Sequence, residues 1–274
     1  MCGARPVAAG PGPYAGEVRL VSLLPSATEI VYALGLGDEL AGVTFECDDP
    51  PAARTDKAIV VGGRDTSGMT PGDIDRYVRA QLAAGQDLYT LHARALAGLA
   101  PDLILTQDLC RVCALPSEHV NDALSYLGCQ ADVLTLDPHS LNDVLDSILV
   151  VGRRAGVADR AERVVGELRA RLARIAASVG GSSVGSGGGR GRPRVAVVEW
   201  VDPPFSAGHW VPDLSRRRAA RRWPLGPAHD RCRRAGLISP RPGPTSWWWR
   251  RAGSTWRGRS SRHGWSPRRW RLRA

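Results

Sequence analysis

From Val18 onward, short apolar runs alternate with stretches in which apolar residues recur at helical spacing. Val18 to Leu24 is an apolar run of strand length, and Pro25-Ser26 closes it. A helix is expected at once. Ser26 with Glu29 three residues on forms a capping-box pattern, Ile30, Ala33 and Leu34 supply an apolar face, and Gly35 and Gly37 stop it. The same grammar predicts strands over Leu40 to Thr44, Ala58 to Val61, Asp102 to Thr106 and Asp132 to Leu136. It predicts helices over Pro71 to Ala84 behind Thr70, His92 to Leu99, and Ser117 to Leu127. Strands alternating with helices argue for an α/β fold with a parallel sheet covered on both faces.

From Ser140 the pattern turns to helix only, with Leu141, Val144, Leu145, Ile148 and Leu149 on one stripe before a break near Gly156. A second helix, Ala158 to Ser178, carries Ala161, Val164, Val165, Leu168, Leu172 and Ile175 at three- and four-residue steps. Some twenty helical residues span roughly 30 Å, the length of a strut between two lobes. Gly180 to Arg192 reads as a flexible Gly/Ser linker. Sheet grammar restarts with the Val-rich run Arg194 to Trp200. The organisation read this way is a loose leader (1–17), an α/β lobe (18–157), a linking helix (158–179), a linker (180–193) and the start of a second lobe (194–214).

Charge changes the picture at the end of the chain. The net +10 is not evenly spread: residues 215–274 hold 18 Arg, no Lys and one acid, Asp230, so the residues before them carry −7. This segment also holds seven of the nine Trp, and its only Leu and Ile are Leu225, Leu237, Ile238 and Leu272. No strand- or helix-period apolar face can be drawn through it. One reading is a nucleic-acid-binding tail, because Arg neutralises phosphate and Trp stacks on bases. The other, which the composition favours, is a shifted reading frame. Trp has one codon, and Trp247-Trp248-Trp249 in the neighbouring frame becomes a run of Val. On that reading the tail is disordered, the second lobe is incomplete and no nucleic acid is bound.

Met1 to Gly16 is mostly Gly, Ala and Pro, without the apolar core of an export signal, and Cys2 lacks the apolar run that precedes a lipoprotein cysteine. No stretch has the length of a membrane helix. As written, the chain is expected to be cytoplasmic. Six cysteines in a chain this long do not make a small disulfide scaffold, so free thiols or a metal are the readings favoured over a disulfide.

Three stretches carry a resemblance: SLLPSATEIVYALGLGDELAGVTFECDDPP (22–51), GLAPDLILTQDLCRVCA (98–114) and VEWVDPPFSAGHWVPDL (198–214). They resemble the substrate-binding proteins of iron-siderophore and cobalamin ABC transporters, the cobalamin-binding-like branch in particular. The resemblance covers about Val18 to Leu214. It implies two Rossmann-like lobes joined by one long helix, the helical-backbone type of periplasmic binding protein, with a ligand held in the cleft between lobes and little hinge motion. It implies binding rather than catalysis, a cobalamin or ferric-chelate ligand with no required cofactor, a monomer without a membrane span, and, if exported, delivery to an ABC permease from the periplasm or cell surface.

In such folds the loops after strands face the ligand. Ser26 and Thr28 at a helix N-terminus, Glu46, Arg64 and Asp108 are therefore candidate contacts. Trp200, Phe205 and Trp210 offer flat apolar surface for a large ring, and His209 a metal ligand or hydrogen-bond donor. Plain helix capping, solvated arginine and ordinary aromatic packing are the competing readings of the same residues. Cys110-Arg-Val-Cys113 has zinc or redox spacing, and Cys47 follows an earlier strand in the same manner, so these three thiols are the candidate metal group. A thiol-redox or metal-handling protein is the alternative they support. No nucleophile, base and orienting group stand together, and no phosphate-binding glycine loop is present.

Overall fold

The computed structural model describes residues 18–108, 117–180, 194–195, 197–217, 221–222, 247–251 and 254–258. The chain divides into two compact units, Met1–Arg174 and Ile175–Ala274.

The first unit runs β1 (Leu20–Ser22), α1 (Pro25–Ala33), β2 (Leu40–Thr44), α2 (Pro51–Asp56), β3 (Ala58–Gly63), α3 (Pro71–Ala83), β4 (Tyr89–Leu91) and α4 (Ala93–Gly98). It continues with β5 (Leu103–Thr106), α5 (Ser117–Leu127), β6 (Asp132–Thr135), α6 (Leu141–Arg154) and most of α7 (Ala158–Gly180). One six-stranded sheet has the order β4-β3-β2-β1-β5-β6. Every neighbouring pair is parallel except the edge pair β3–β4, which is antiparallel.

The central strands show why no polar alternation was visible in the sequence. Leu20, Leu103 and Leu105 enter a core with Ala27 and Val31 of α1, Leu145, Ile148 and Val151 of α6, and Ala161 and Val165 of α7. Val21 and Ile104, one residue out of phase, enter the opposite core with Leu96 of α4 and with Val120 and Leu124 of α5. Both faces of these strands are buried, so apolar residues follow one another without alternation up to Ser22 and Thr106 at the strand ends, which are buried as well. Leu20, Val21, Leu103, Ile104 and Leu105 are all 0 % exposed.

The helix ends follow local chemistry. Thr70 and Ser140 cap α3 and α6 with reciprocal capping boxes to Asp73 and Asp143. The box expected at Ser26 and Glu29 does not form. Leu24 is the N-cap, without a side-chain bond, because Pro25 starts the helix one residue earlier with a fixed φ and no N–H to satisfy. In the first unit two elements were not expected: α2, only six residues long, and β4, an edge strand of three. Helix α7 runs Ala158 to Gly180 against the expected Ala158 to Ser178, and Arg160 donates to the carbonyls of Leu34 and Gly35 at the end of α1.

The second unit holds the end of α7, then β7 (Arg194–Val195), β8 (Val198–Val201), β9 (Pro204–Ser206), α8 (Val211–Arg217), β10 (Arg221–Arg222), β11 (Trp247–Arg251) and β12 (Ser254–Gly258). The strand expected over Arg194 to Trp200 is two strands. Beyond Leu214, where no periodic element was expected, β11 and β12 pair antiparallel and β11 lies parallel beside β8, giving the order β12-β11-β8-β9. Consecutive tryptophans have strand propensity without alternation, which a reading based on period misses. Among the described residues no helix is long and apolar enough to cross a membrane.

Candidate functional site

Because β1, β2, β3, β5 and β6 are parallel, their carboxyl ends share one edge of the sheet, and the loops leaving that edge hold the sequence candidates of the first unit. Such an edge is where open α/β sheets take ligands. Ser26 is exposed in the first turn of α1. Thr28 is not available. It is 0 % exposed, and its hydroxyl lies 3.0 Å from the Cys47 sulfur and 3.4 Å from the Leu24 carbonyl. Cys47 is likewise 0 % exposed, a buried free thiol whose pKa burial pushes up, with the Thr28 contact opposing that shift. The pair ties the loop after β2 to α1, so both residues support the loop rather than meet a ligand.

Glu46, beside them, is half-buried and differently placed. Its carboxylate accepts from the Tyr89 hydroxyl at 3.4 Å, and Phe45 packs its ring 6.4 Å from that of Tyr89 at 51°. Arg54 donates to the Phe45 carbonyl and stiffens the turn. Burial raises the Glu46 pKa above its ordinary 4.5, more than the Tyr89 bond and the Arg54 charge lower it, while Asp48 adds to the rise. A carboxylate with a raised folded pKa holds its stability contribution below pH 4.5 and loses it as pH climbs past that value. Glu46→Gln is therefore expected to melt above the wild type at about pH 7, with the gap shrinking toward about pH 4. A gap that does not change between those two melting curves would refute this.

Arg64, just after β3, holds its guanidinium over the Tyr77 ring of α3, 4.6 Å from the ring centre, and is exposed, so its other face meets solvent. Asp108, after β5, is a structural residue in this arrangement. Its carboxylate accepts the backbone N–H and the hydroxyl of Ser117 at 2.8 and 2.7 Å, capping α5, while its own N–H donates to Asp137 at 2.8 Å. That closes the base of the loop containing Cys110 and Cys113, which lie outside the described residues. Cys129 is disulfide-bonded, against the expectation that thiols would be free or metal-bound, and its partner lies outside the described residues. Among the described residues no three His, Cys, Asp or Glu side chains group as a metal site, and Cys47 is accounted for by Thr28.

In the second unit, Trp200 on β8 stands opposite Phe205 on β9, and its indole N–H donates to the Asp202 carbonyl at 2.9 Å. Glu199 accepts the Gly208 N–H at 3.2 Å and thereby shapes the turn leading to His209. His209 is exposed with φ +50°, a left-handed position at a turn, and Trp210 precedes α8 half-buried. The sequence reading gave no role to Tyr89, Phe45 or Glu199. Tyr89 reaches Glu46 only because β4 pairs with β3 at the sheet edge, and no local signal announces that pairing. Glu199 was legible, since it directly precedes a tryptophan already singled out.

This arrangement is a mixed α/β, parallel-rich sheet leading through one long helix to a second α/β unit, which is the fold of the two-lobe periplasmic binding proteins. The chain's relatives and structural neighbours are periplasmic solute-binding proteins of the iron, haem and vitamin B12 ABC transporter type. No protein-family model matches the chain. It is 27% identical over 156 residues to an uncharacterised ABC transporter substrate-binding lipoprotein of Bacillus subtilis, a match covering 56% of this chain and 39% of the relative. It is 51% identical over 41 residues to the vitamin B12-binding protein of Photorhabdus laumondii, 15% of each chain. Among solved structures, a possible iron-binding (periplasmic solute-binding) protein of Staphylococcus epidermidis superposes with a TM-score of 0.52 at 22% identity, over 74% of this chain and 66% of that one. The periplasmic vitamin B12-binding protein of Vibrio cholerae gives 0.51 at 20% identity over 74% and 65%. A periplasmic heme-binding protein from Roseiflexus gives 0.51 at 22% over 75% and 65%. The chain thus spans less than two thirds of the length of these relatives. The cytoplasmic location expected from the first residues finds no support, since the relatives are lipoproteins or periplasmic proteins.

Proposed function

We propose that this chain is the substrate-binding component of an ABC importer and binds a metal chelate of the cobalamin, haem or ferric-siderophore kind. The observation that carries the proposal is the shared carboxyl edge of the parallel sheet, where half-buried Phe45, Glu46 and Tyr89 meet beside exposed Ser26 and Arg64. Bulky ligands with an extended ring or chelate face and polar groups at its rim suit loops of that make-up, with rings for contact area and isolated polar atoms for orientation. The match to the Bacillus lipoprotein and to the Photorhabdus vitamin B12-binding protein supports the same ligand class. The protein works outside the cytoplasm, handing its ligand to a permease, and the disulfide at Cys129 suits an oxidising compartment.

Titration of the full chain with cyanocobalamin, haemin and a ferric siderophore, read by tryptophan fluorescence, tests the function. Saturable binding of at least one, at a Kd of about 1 μM or below (~8 kcal/mol), is the expected result. Linear, non-saturating signals with all three would overturn it.

A further inference from the structure

Against the eighteen Arg of residues 215–274 stands one acid, Asp230, so the segment holds almost no counter-charge of its own. A guanidinium stays ionised at any ordinary pH, and taking it out of water without an anionic partner is costly. The anions that satisfy these cations must therefore come from outside the segment. Tryptophan is concentrated in the same stretch, and each of its seven Trp lies within three residues of an Arg.

Part of this stretch has a definite form. Strands β11 and β12 pair antiparallel over five positions each, and seven of their ten residues are Trp or Arg. In the register Trp249 stands opposite Trp256, and Trp248 opposite Arg257. Only Ala252 and Gly253 separate the two strands in sequence. In the order β12-β11-β8-β9 the pair forms one end of its sheet, with β12 outermost. The central strands β1 and β5 are built of Leu, Val and Ile, whereas none of these ten positions holds one. A strand pair of this make-up is not that of a buried core. Indole rings prefer the headgroup layer of a bilayer, and arginine pairs with its phosphates.

We propose that the β11–β12 pair adsorbs to an anionic phospholipid surface and holds the chain against the bilayer. The need for a polyanion follows from the charge alone. The choice of a bilayer over a nucleic acid rests on the function proposed above, which sets the chain beside a membrane-embedded permease outside the cytoplasm.

The test is co-sedimentation of the full chain with vesicles of phosphatidylcholine, with and without an equal share of phosphatidylglycerol. Binding to the anionic vesicles is expected to be tenfold or more tighter than to phosphatidylcholine alone, and to be largely lost between about 0.05 M and about 0.5 M salt. The triple variant Arg250→Gln, Arg251→Gln, Arg257→Gln is expected to bind the anionic vesicles about tenfold or more weakly. Its control is Arg163→Gln, Arg171→Gln, Arg174→Gln, three exposed positions of α7 with the same change in net charge, which should bind as the wild type does. Equal losses in the two triple variants would overturn the assignment to β11 and β12. Equal binding to both kinds of vesicle, or none to either, would overturn the adsorption itself. Tighter binding of the wild type to a DNA duplex than to anionic vesicles at the same salt would make nucleic acid the partner and overturn the bilayer. Chelate binding without vesicle binding refutes the adsorption and leaves the importer function standing, and vesicle binding without chelate binding does the reverse.

Discussion

Leu20→Ala is expected to destabilise the first unit by about 3–4 kcal/mol, the upper half of the range for leucine truncation in a core that cannot collapse. Leu20 sits on β1, between β2 and β5, and is 0 % exposed among Leu103, Leu40, Val31 and Leu145. Strand hydrogen bonds on both sides prevent the backbone from moving in to fill the space, so the cavity persists and its lining loses contacts outright. Leu82, 43% exposed on α3, is the matched control, and its truncation should cost no more than about 0.5 kcal/mol. Urea denaturation followed by circular dichroism measures both. A similar midpoint for the two variants would contradict the assignment of β1 to the centre of the core.

Gly152→Ala is expected to lower the melting temperature by several degrees, even though alanine is favoured over glycine in a helix by about 1 kcal/mol. A Cβ built at Gly152 falls 2.3 Å from the Cβ of Ala161 and 3.4 Å from the Val157 carbonyl. Neither neighbour has a flexible end to swing away, because Ala161 is 0 % exposed and its Cβ is fixed by the backbone of α7. Helices α6 and α7 would have to part, at a cost of about 1–3 kcal/mol that exceeds the propensity gain. Gly166, on α7 with nothing within 4 Å, isolates the propensity effect. Gly166→Ala should raise the melting temperature while Gly152→Ala lowers it, and two shifts of the same sign would refute the close crossing.

The α6–α7 crossing also bears on function. It fixes the start of the long helix against the end of α1, where Arg160 meets the Leu34 and Gly35 carbonyls. Helix α1 in turn carries Thr28, which ties down the loop of Glu46 through Cys47. The chain of contacts from Gly152 to Glu46 is continuous packing, and it holds the Glu46 carboxylate half-buried despite the pKa cost of that position. Groups kept in unfavourable environments at a sheet's carboxyl edge are the ones function tends to account for.

Much of the first unit was legible because its elements are strongly periodic. Leu40 to Thr44 and Ser117 to Leu127 coincide with β2 and α5, and the stripe from Ala161 to Ile175 located α7. Helix α2 and strand β4 were missed because six and three residues carry too little pattern, and β4 exists by virtue of its partner β3. At the candidate site, the loops singled out in the sequence do share one edge of the sheet, but three of the side chains chosen there make their bonds within the fold. Thr28, Cys47 and Asp108 have the residue types of a binding site, yet each is spent on the fold.

The order of apolar runs along the chain was enough to determine the α/β class, the parallel strands of the first unit, the long helix and the loops that follow those strands. These are consequences of local period and of the need to bury both sheet faces. Which side chains in those loops remain open was decided only by tertiary structure. Burial and hydrogen-bond partners belong to pairs of residues far apart in the chain, such as Thr28 with Cys47, Asp108 with Ser117 and Glu46 with Tyr89, and no single segment contains both members of any of them.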